Sequence, residues 1–254
     1  GASTNLAVSS TGAVTGSCFR LQTSRSMVLV DCGMFQGSKR LKELNYRPFP
    51  FDAEKVDAVL LSHAHIDHSG LLPKLMRAGF SGPIHATAGT RELAAVMLPD
   101  AGGIQEHEVA QLNRRFQRRG RAPVEPIYSS ADADACMGLF SKVRYDEWVE
   151  IAPGVRARWW DAGHILGSAS IELEVQEGKG DPLRLLFSGD LGQGGSDFSG
   201  DPKGPAGVDH LIMETTYGGR ERPLLDAAHR RAILAGEVRA AQQAGGSLVI
   251  PAFS

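Results

Sequence analysis

The sequence predicts an α/β protein, a sheet-based sandwich with helices outside and a ligand site along one rim. Three observations lead there. Short apolar runs of strand character open the chain, helical segments follow, and strands return after residue 142. Chemistry-bearing residues sit where strands end: Asp31, the cluster at 63–68, His164, Asp190 and Glu214. The 254 residues are 42% hydrophobic, enough to bury a substantial core without disulfides.

The elements follow in order. "CFRLQT" alternates, and "SMVLVDCG" is a compact apolar run ending in Asp and Gly. "VDAVLLSH" is a second such run and ends directly in histidines. "SGLLPKLMRAG" reads as a helix closed by Gly79, "GPIHAT" as a strand, and "TRELAAVML" as a helix capped by Thr90. Residues 103–120 read as a separate amphipathic helix, with Val109, Leu112 and Phe116 on one face. "VRARWWDAG", "SASIELEV", "LRLLFSGD" and "DHLIMET" are strands. Residues 224–244 form a helix, and "GGSLVIPAFS" begins a new strand.

Composition narrows the function classes. A formal net charge of −2 gives no global basic field for nucleic acid, although a local patch remains open. Cys18, Cys32 and Cys136 are widely spaced, with no CxxC pair, and read as buried thiols of a reducing compartment. No apolar run approaches the roughly 20 residues that span a bilayer. The N-terminus carries no basic segment followed by an apolar run, so the expectation is a cytoplasmic protein with no membrane partner.

"SHAHIDHSG" places His63, His65, Asp67 and His68 within six positions. Histidine and aspartate ligate zinc and similar divalent ions. His63 and His65, two apart after a strand, can point the same way, whereas Asp67 and His68 point apart. Such crowding suggests two metals sharing one loop. A catalytic zinc takes about three protein ligands and leaves a place for water, so partners must come from elsewhere. "DAGHILGSAS" offers His164, and "LLFSGDLG" offers Asp190, whose carboxylate can bridge two cations. Asp31 in "VDCG" can accept a hydrogen bond and orient a ligand. His85, His107, His210 and His229 lack such company and read as structural or surface residues.

His63-x-His65-x-Asp67-His68 resembles the signature of the metallo-β-lactamase fold, and Asp31, His164 and Asp190 match its further motifs in order. The resemblance implies an αββα sandwich with two zinc ions. His63, His65 and His164 would hold one ion, Asp67 and His68 the other, and Asp190 would bridge them. "ETTYG", Glu214 to Gly218, is similar to the first motif of the β-CASP nucleases, of the bacterial RNase J and cleavage-and-polyadenylation endonuclease type. "AVTGSCF", "DCGMFQG", "AGHILGSAS", "FSGDLG" and "GGSLVIPAFS" are similar to bacterial members.

That likeness implies hydrolysis of single-stranded RNA to a 5′-phosphate. Asp67 would take the proton of the attacking water, with Asp31 supporting the site. Glu214 would orient a histidine that protonates the leaving group. Two departures stand out. Arg222 occupies a position where members often carry His, and the chain stops where the β-CASP cap would begin. The expected organisation is therefore a metallo-β-lactamase domain over 4–222 and the start of a β-CASP domain over 223–254, truncated, as a piece of a longer protein. The missing part would bring the last ligand of the second metal.

Arg114, Arg115, Arg118 and Arg119 are the local candidates for RNA phosphates, against the plainer reading of a solvated helix face balanced by Glu106 and Glu108. Trp159 and Trp160 offer stacking surfaces, though in a strand they read as core. A homodimer is among the expected assemblies. Two competing functions are a small-molecule hydrolase of esters or thioesters, against which "ETTYG" argues, and a non-catalytic RNA-processing subunit, against which the intact ligands argue.

Overall fold

The computed structural model describes residues 5–8, 15–194, 200–219 and 226–250. Contacts divide the chain into two compact units, Gly1–Glu214 and Thr215–Ser254.

The first unit holds two sheets. One runs β1 (Asn5–Val8), β2 (Phe19–Gln22), β3 (Met27–Val30), β4 (Ala58–Leu60), β5 (Ile84–Thr87) and β6 (Phe140–Val143), in that spatial order. Its first two pairings are antiparallel and the remaining three parallel. The second sheet runs β7 (Val149–Ala152), β8 (Val155–Asp161), β9 (Ala169–Val175), β10 (Leu183–Phe187) and β11 (His210–Ile212), antiparallel except for the parallel β10–β11 pair. The helices are α1 (Lys39–Lys42), α2 (Ile66–Ser69), α3 (Leu72–Arg77), α4 (Ala88–Gln117), α5 (Ser130–Cys136) and, in the second unit, α6 (Ala227–Gln243).

The unbroken runs "MVLV" and "AVL" arise because the central strands of the first sheet are buried on both faces. Leu29, Val59 and Ile84 pack with Leu72 and Leu75 of α3. Val28, Val30 and Leu60 point the other way, into Trp159, Ile171, Leu173, Leu185 and Phe187 of the second sheet. This inter-sheet layer is one of two large cores, the other lying between the first sheet and its helices. The three cysteines are buried and none is in a disulfide, as expected. Contact with Cys18, reinforced by burial, pushes the Cys32 thiol well up, which keeps it protonated and unreactive.

Three expectations change. Thr87, not Thr90, caps the helix, accepting from the Thr90 amide at 3.2 Å. The two helices expected over 90–98 and 103–120 are one 30-residue helix running through Pro99. Thr90, Ala94, Leu98 and Gly102 form a buried stripe at four-residue spacing, and its packing outweighs the backbone hydrogen bond that Pro99 forfeits. The strand expected from residue 245 is a turn at Gly245 and irregular chain over 246–250, and residues 251–254 lie outside the described residues. Trp159 is core, while Trp160 lies on the opposite face of β8, with its indole N–H on Glu172. No helix among the described residues is long and apolar enough to cross a membrane.

The outer face of the second sheet carries a charged ladder. Glu172 is fully buried and accepts hydrogen bonds from Arg158, Trp160 and Arg184. The Arg158 guanidinium also lies between the rings of Trp148 and Trp160, at 4.6 and 4.4 Å from their centroids. Burial alone would raise the Glu172 carboxyl, but the bonds from Arg184, Trp160 and Arg158 outweigh it and hold the group below the usual carboxylate range. Removing one member of such a buried set strands the others, so Glu172→Ala is expected to cost about 3 kcal/mol in urea unfolding at pH 7. A pKa lower in the folded state contributes stability above the unfolded value and loses it as pH falls through the folded one. The gap between variant and wild type should therefore hold near neutrality and close below about pH 4.

Candidate metal centre

Strand direction alone collects the chemistry at one edge. In the first sheet β3 and β4 run parallel, so Asp31 and Ser62–His63 leave the same end. In the second, β8 and β10 are both antiparallel to β9 and hence parallel to each other, and β11 is parallel to β10. The ends carrying His164, Asp190 and Glu214 therefore share an edge. The two edges are joined at the backbone, where the Ala169 amide donates to Ser62 O at 2.8 Å.

Asp31 is buried and has φ of 60°, in the left-handed region that Asp tolerates better than most residues. Three donors meet its carboxylate: Ser62 N at 2.8 Å, Ser62 Oγ at 2.9 Å and His68 Nδ1 at 2.7 Å. With its proton on Asp31, the Ser62 hydroxyl accepts from His63 Nδ1 at 3.0 Å, which leaves His63 Nε2 bare and facing inward. Burial, then the neighbouring His68, lowers the His63 pKa well below its usual value, so this ring is a neutral donor at neutral pH.

His63, His65, His164 and Asp190 each offer one ligand atom, all within 4.8 Å of one another. His65 Nδ1 lies 3.1 Å from His63 Nε2 and 3.3 Å from His164 Nε2. A tetrahedral ion with metal–nitrogen bonds near 2.05 Å requires nitrogens about 3.3 Å apart, so the donor set fits a divalent metal in chemistry and spacing. Asp190 divides its oxygens. Oδ2 lies 3.7 Å from both His63 Nε2 and His164 Nε2, and Oδ1 lies 3.3 Å from His68 Nε2. Burial opposes a charge on His68, but Asp31 and Asp190 overcome it and raise its pKa to about 10. Burial likewise opposes ionisation of Asp190, yet His68 holds its carboxyl below the usual range.

Backbone contacts fix the loops. Gly167 O accepts from Thr87 Oγ1 and Thr90 Oγ1 at 2.6 and 2.8 Å, and Ser168 Oγ accepts from the amides of His164 and Ile165. A Cβ on Gly33 would sit 1.6 Å from Asp67 O, and one on Gly192 would sit 1.8 Å from Gly163 O. Only glycine lets the histidine loop seat against β3, and the Asp190 loop against the His164 loop.

Four of the expected ligands thus converge, His63, His65, His164 and Asp190, while Asp67 and His68 stand outside that group. His68 turns inward between Asp31 and Asp190. Glu214 accepts from the amide of Leu191. Arg114, Arg115, Arg118 and Arg119 are exposed at the far end of α4, and Arg114 lies 24 residues, about 36 Å, along the helix from Thr90. They do not reach the metal cluster. Arg222 lies outside the described residues. Ser62, Ser168 and Thr87 are supporting residues that the sequence reading does not single out, although "LLSHAH" and "GHILGSAS" adjoin the ligands in sequence.

A family model described as the metallo-beta-lactamase superfamily matches residues 11–234. Ribonuclease TTHA0252 of Thermus thermophilus is 36% identical over 242 residues, 95% of this chain and 49% of that protein. Transcription termination factor FttA of Methanothermobacter thermautotrophicus is 32% identical over 244 residues, 94% of this chain and 35% of that protein. The chain therefore spans half or less of the length of these relatives. Among solved structures, the subclass B3 metallo-beta-lactamase MEM-A1 is 20% identical, with 68% of this chain and 56% of that chain covered at a TM-score of 0.41.

Partners that orient a ligand typically matter 10–100-fold in metal affinity, and Ser62→Ala is expected to weaken binding by about that factor in competition with a chromophoric chelator. Gly192→Ala should also lower affinity, because the backbone of one ligand loop must yield. Wild-type affinity in both variants would contradict the assignment.

Proposed function

As the chain belongs to the metallo-β-lactamase superfamily, we propose that it forms the catalytic part of a metal-dependent ribonuclease of the β-CASP type. The observation that carries the metal-dependent part of this reading is the divided carboxylate of Asp190. One oxygen faces the His63–His164 pair and the other faces His68, the arrangement expected of a residue serving two cations. We assign His63, His65 and His164 to one zinc, Asp67 and His68 to a second, and Asp190 to both. When bound, two such ions would supply an acidified water and polarisation of a phosphoryl oxygen.

The chain's own residues do the rest. Ser62 fixes the His63 tautomer, and Asp31 orients His68. Asp67, partly exposed in the same loop, accepts the proton of the attacking water. Single-stranded RNA as substrate is supported by the "ETTYG" segment and by the likeness to the Thermus relative, a ribonuclease. The other relative, named a transcription termination factor, fits a role in RNA processing. The arginines of α4 would meet phosphates several nucleotides from the scissile bond, where they add salt-dependent affinity. Residues 223–254, which fall within the second unit, are read as the opening of the β-CASP domain.

The test pairs labelled single-stranded RNA with ester, thioester and β-lactam substrates, using the full-length protein. RNA cleavage that is lost on chelation and restored by zinc is expected. Turnover of the small molecules alone would refute the reading. His65→Ala should abolish cleavage while the circular dichroism spectrum stays that of wild type, because His65 is partly exposed and its loss opens no core cavity.

A further inference from the structure

We infer that Glu214 is a positioning residue for the metal centre, acting on Asp190 through the backbone of the loop that carries it. The parallel register of β10 and β11 sets Ile212 beside Phe187. Just beyond the strand ends, the Ser188 amide donates to Ile212 O at 2.9 Å and the Glu214 amide donates to Ser188 Oγ at 2.9 Å. Glu214 Oε1 then accepts from the amide of Leu191, the residue after Asp190, at 3.1 Å. The segment Ser188–Leu191 is thereby held at both ends from β11.

Asp190 sits inside that span, and its two oxygens must face two different histidine sets at once. A carboxylate on a loose loop would satisfy one set or the other. The Gly192–Gly163 contact braces the same loop from the His164 side, so Glu214 closes the side it leaves open. This role differs from supporting a leaving-group acid, because it acts on the metal site before any substrate binds. The inference rests on the metal-binding reading above.

Metal binding separates the two roles. Apo protein is titrated with zinc against a chromophoric chelator, for wild type, Glu214→Gln and Glu214→Ala. Gln keeps an oxygen that can accept from Leu191, whereas Ala does not. Glu214→Ala is expected to lose affinity by about 10–100-fold, as partners that orient a ligand typically do, and Glu214→Gln to stay near wild type. If both bind zinc like wild type and only RNA cleavage falls, the inference is overturned. Should Glu214→Ala fail to fold, Glu214→Leu decides, since it keeps side-chain bulk but offers no oxygen to the Leu191 amide; wild-type affinity there also overturns the inference. A wild-type protein that binds no zinc would instead sink the metal-centre reading itself.

Discussion

The site depends on one buried carboxylate. Asp31 leaves β3 in a left-handed conformation and receives a backbone amide, a hydroxyl and an imidazole from the loop after β4. A buried charge with fewer partners would be costly, and a residue with that φ would be costly without compensation. The three bonds settle both costs and, in the same act, fix the rotamers of Ser62 and His68 and the tautomer of His63. Ligand geometry is thus inherited from an ordinary need to satisfy a buried anion.

The second sheet contributes by direction. Alternating antiparallel pairings return β8, β10 and β11 to the same edge, so His164, Asp190 and Glu214 meet although 26 and 24 residues separate them in turn. The outward-facing Glu172 ladder ties those strands together where the inter-sheet core does not reach. Arg184 extends the tie, donating to Gly207 O in the chain that leads into β11.

Much of this was legible in the sequence, for identifiable reasons. Strands ending in Asp or His stood out because apolar runs stop abruptly there. His63 and His65 read as ligands because histidines are seldom packed so closely otherwise. The helix from Ala88 to Gln117 was not legible as one element, since Pro99 and two glycines are strong local breakers and the stripe that overrides them is tertiary. The cap slipped from Thr90 to Thr87 because both threonines face Gly167 and only geometry tells which one also meets a helix amide. The hydroxyls that orient ligands were passed over, as serines beside ligands look like ordinary loop residues. That Glu214 grips a backbone amide could not be read from "ETTYG", because the register of β10 and β11 is invisible until the sheet is assembled.

Trp159 gives the molecule an optical reporter of its own. The chain has three tryptophans. Trp148 and Trp160 flank Arg158 on the outer face, while Trp159 is sealed between the sheets with its indole N–H on Leu61 O, two residues before His63. A buried indole is expected to emit at shorter wavelength than a half-exposed pair, and this one is bonded to Leu61, just beyond β4 at the root of the ligand loop. Intrinsic fluorescence is therefore expected to carry a component that follows the ionic outer face and a bluer one that follows the root of the metal-binding loop, with no label attached.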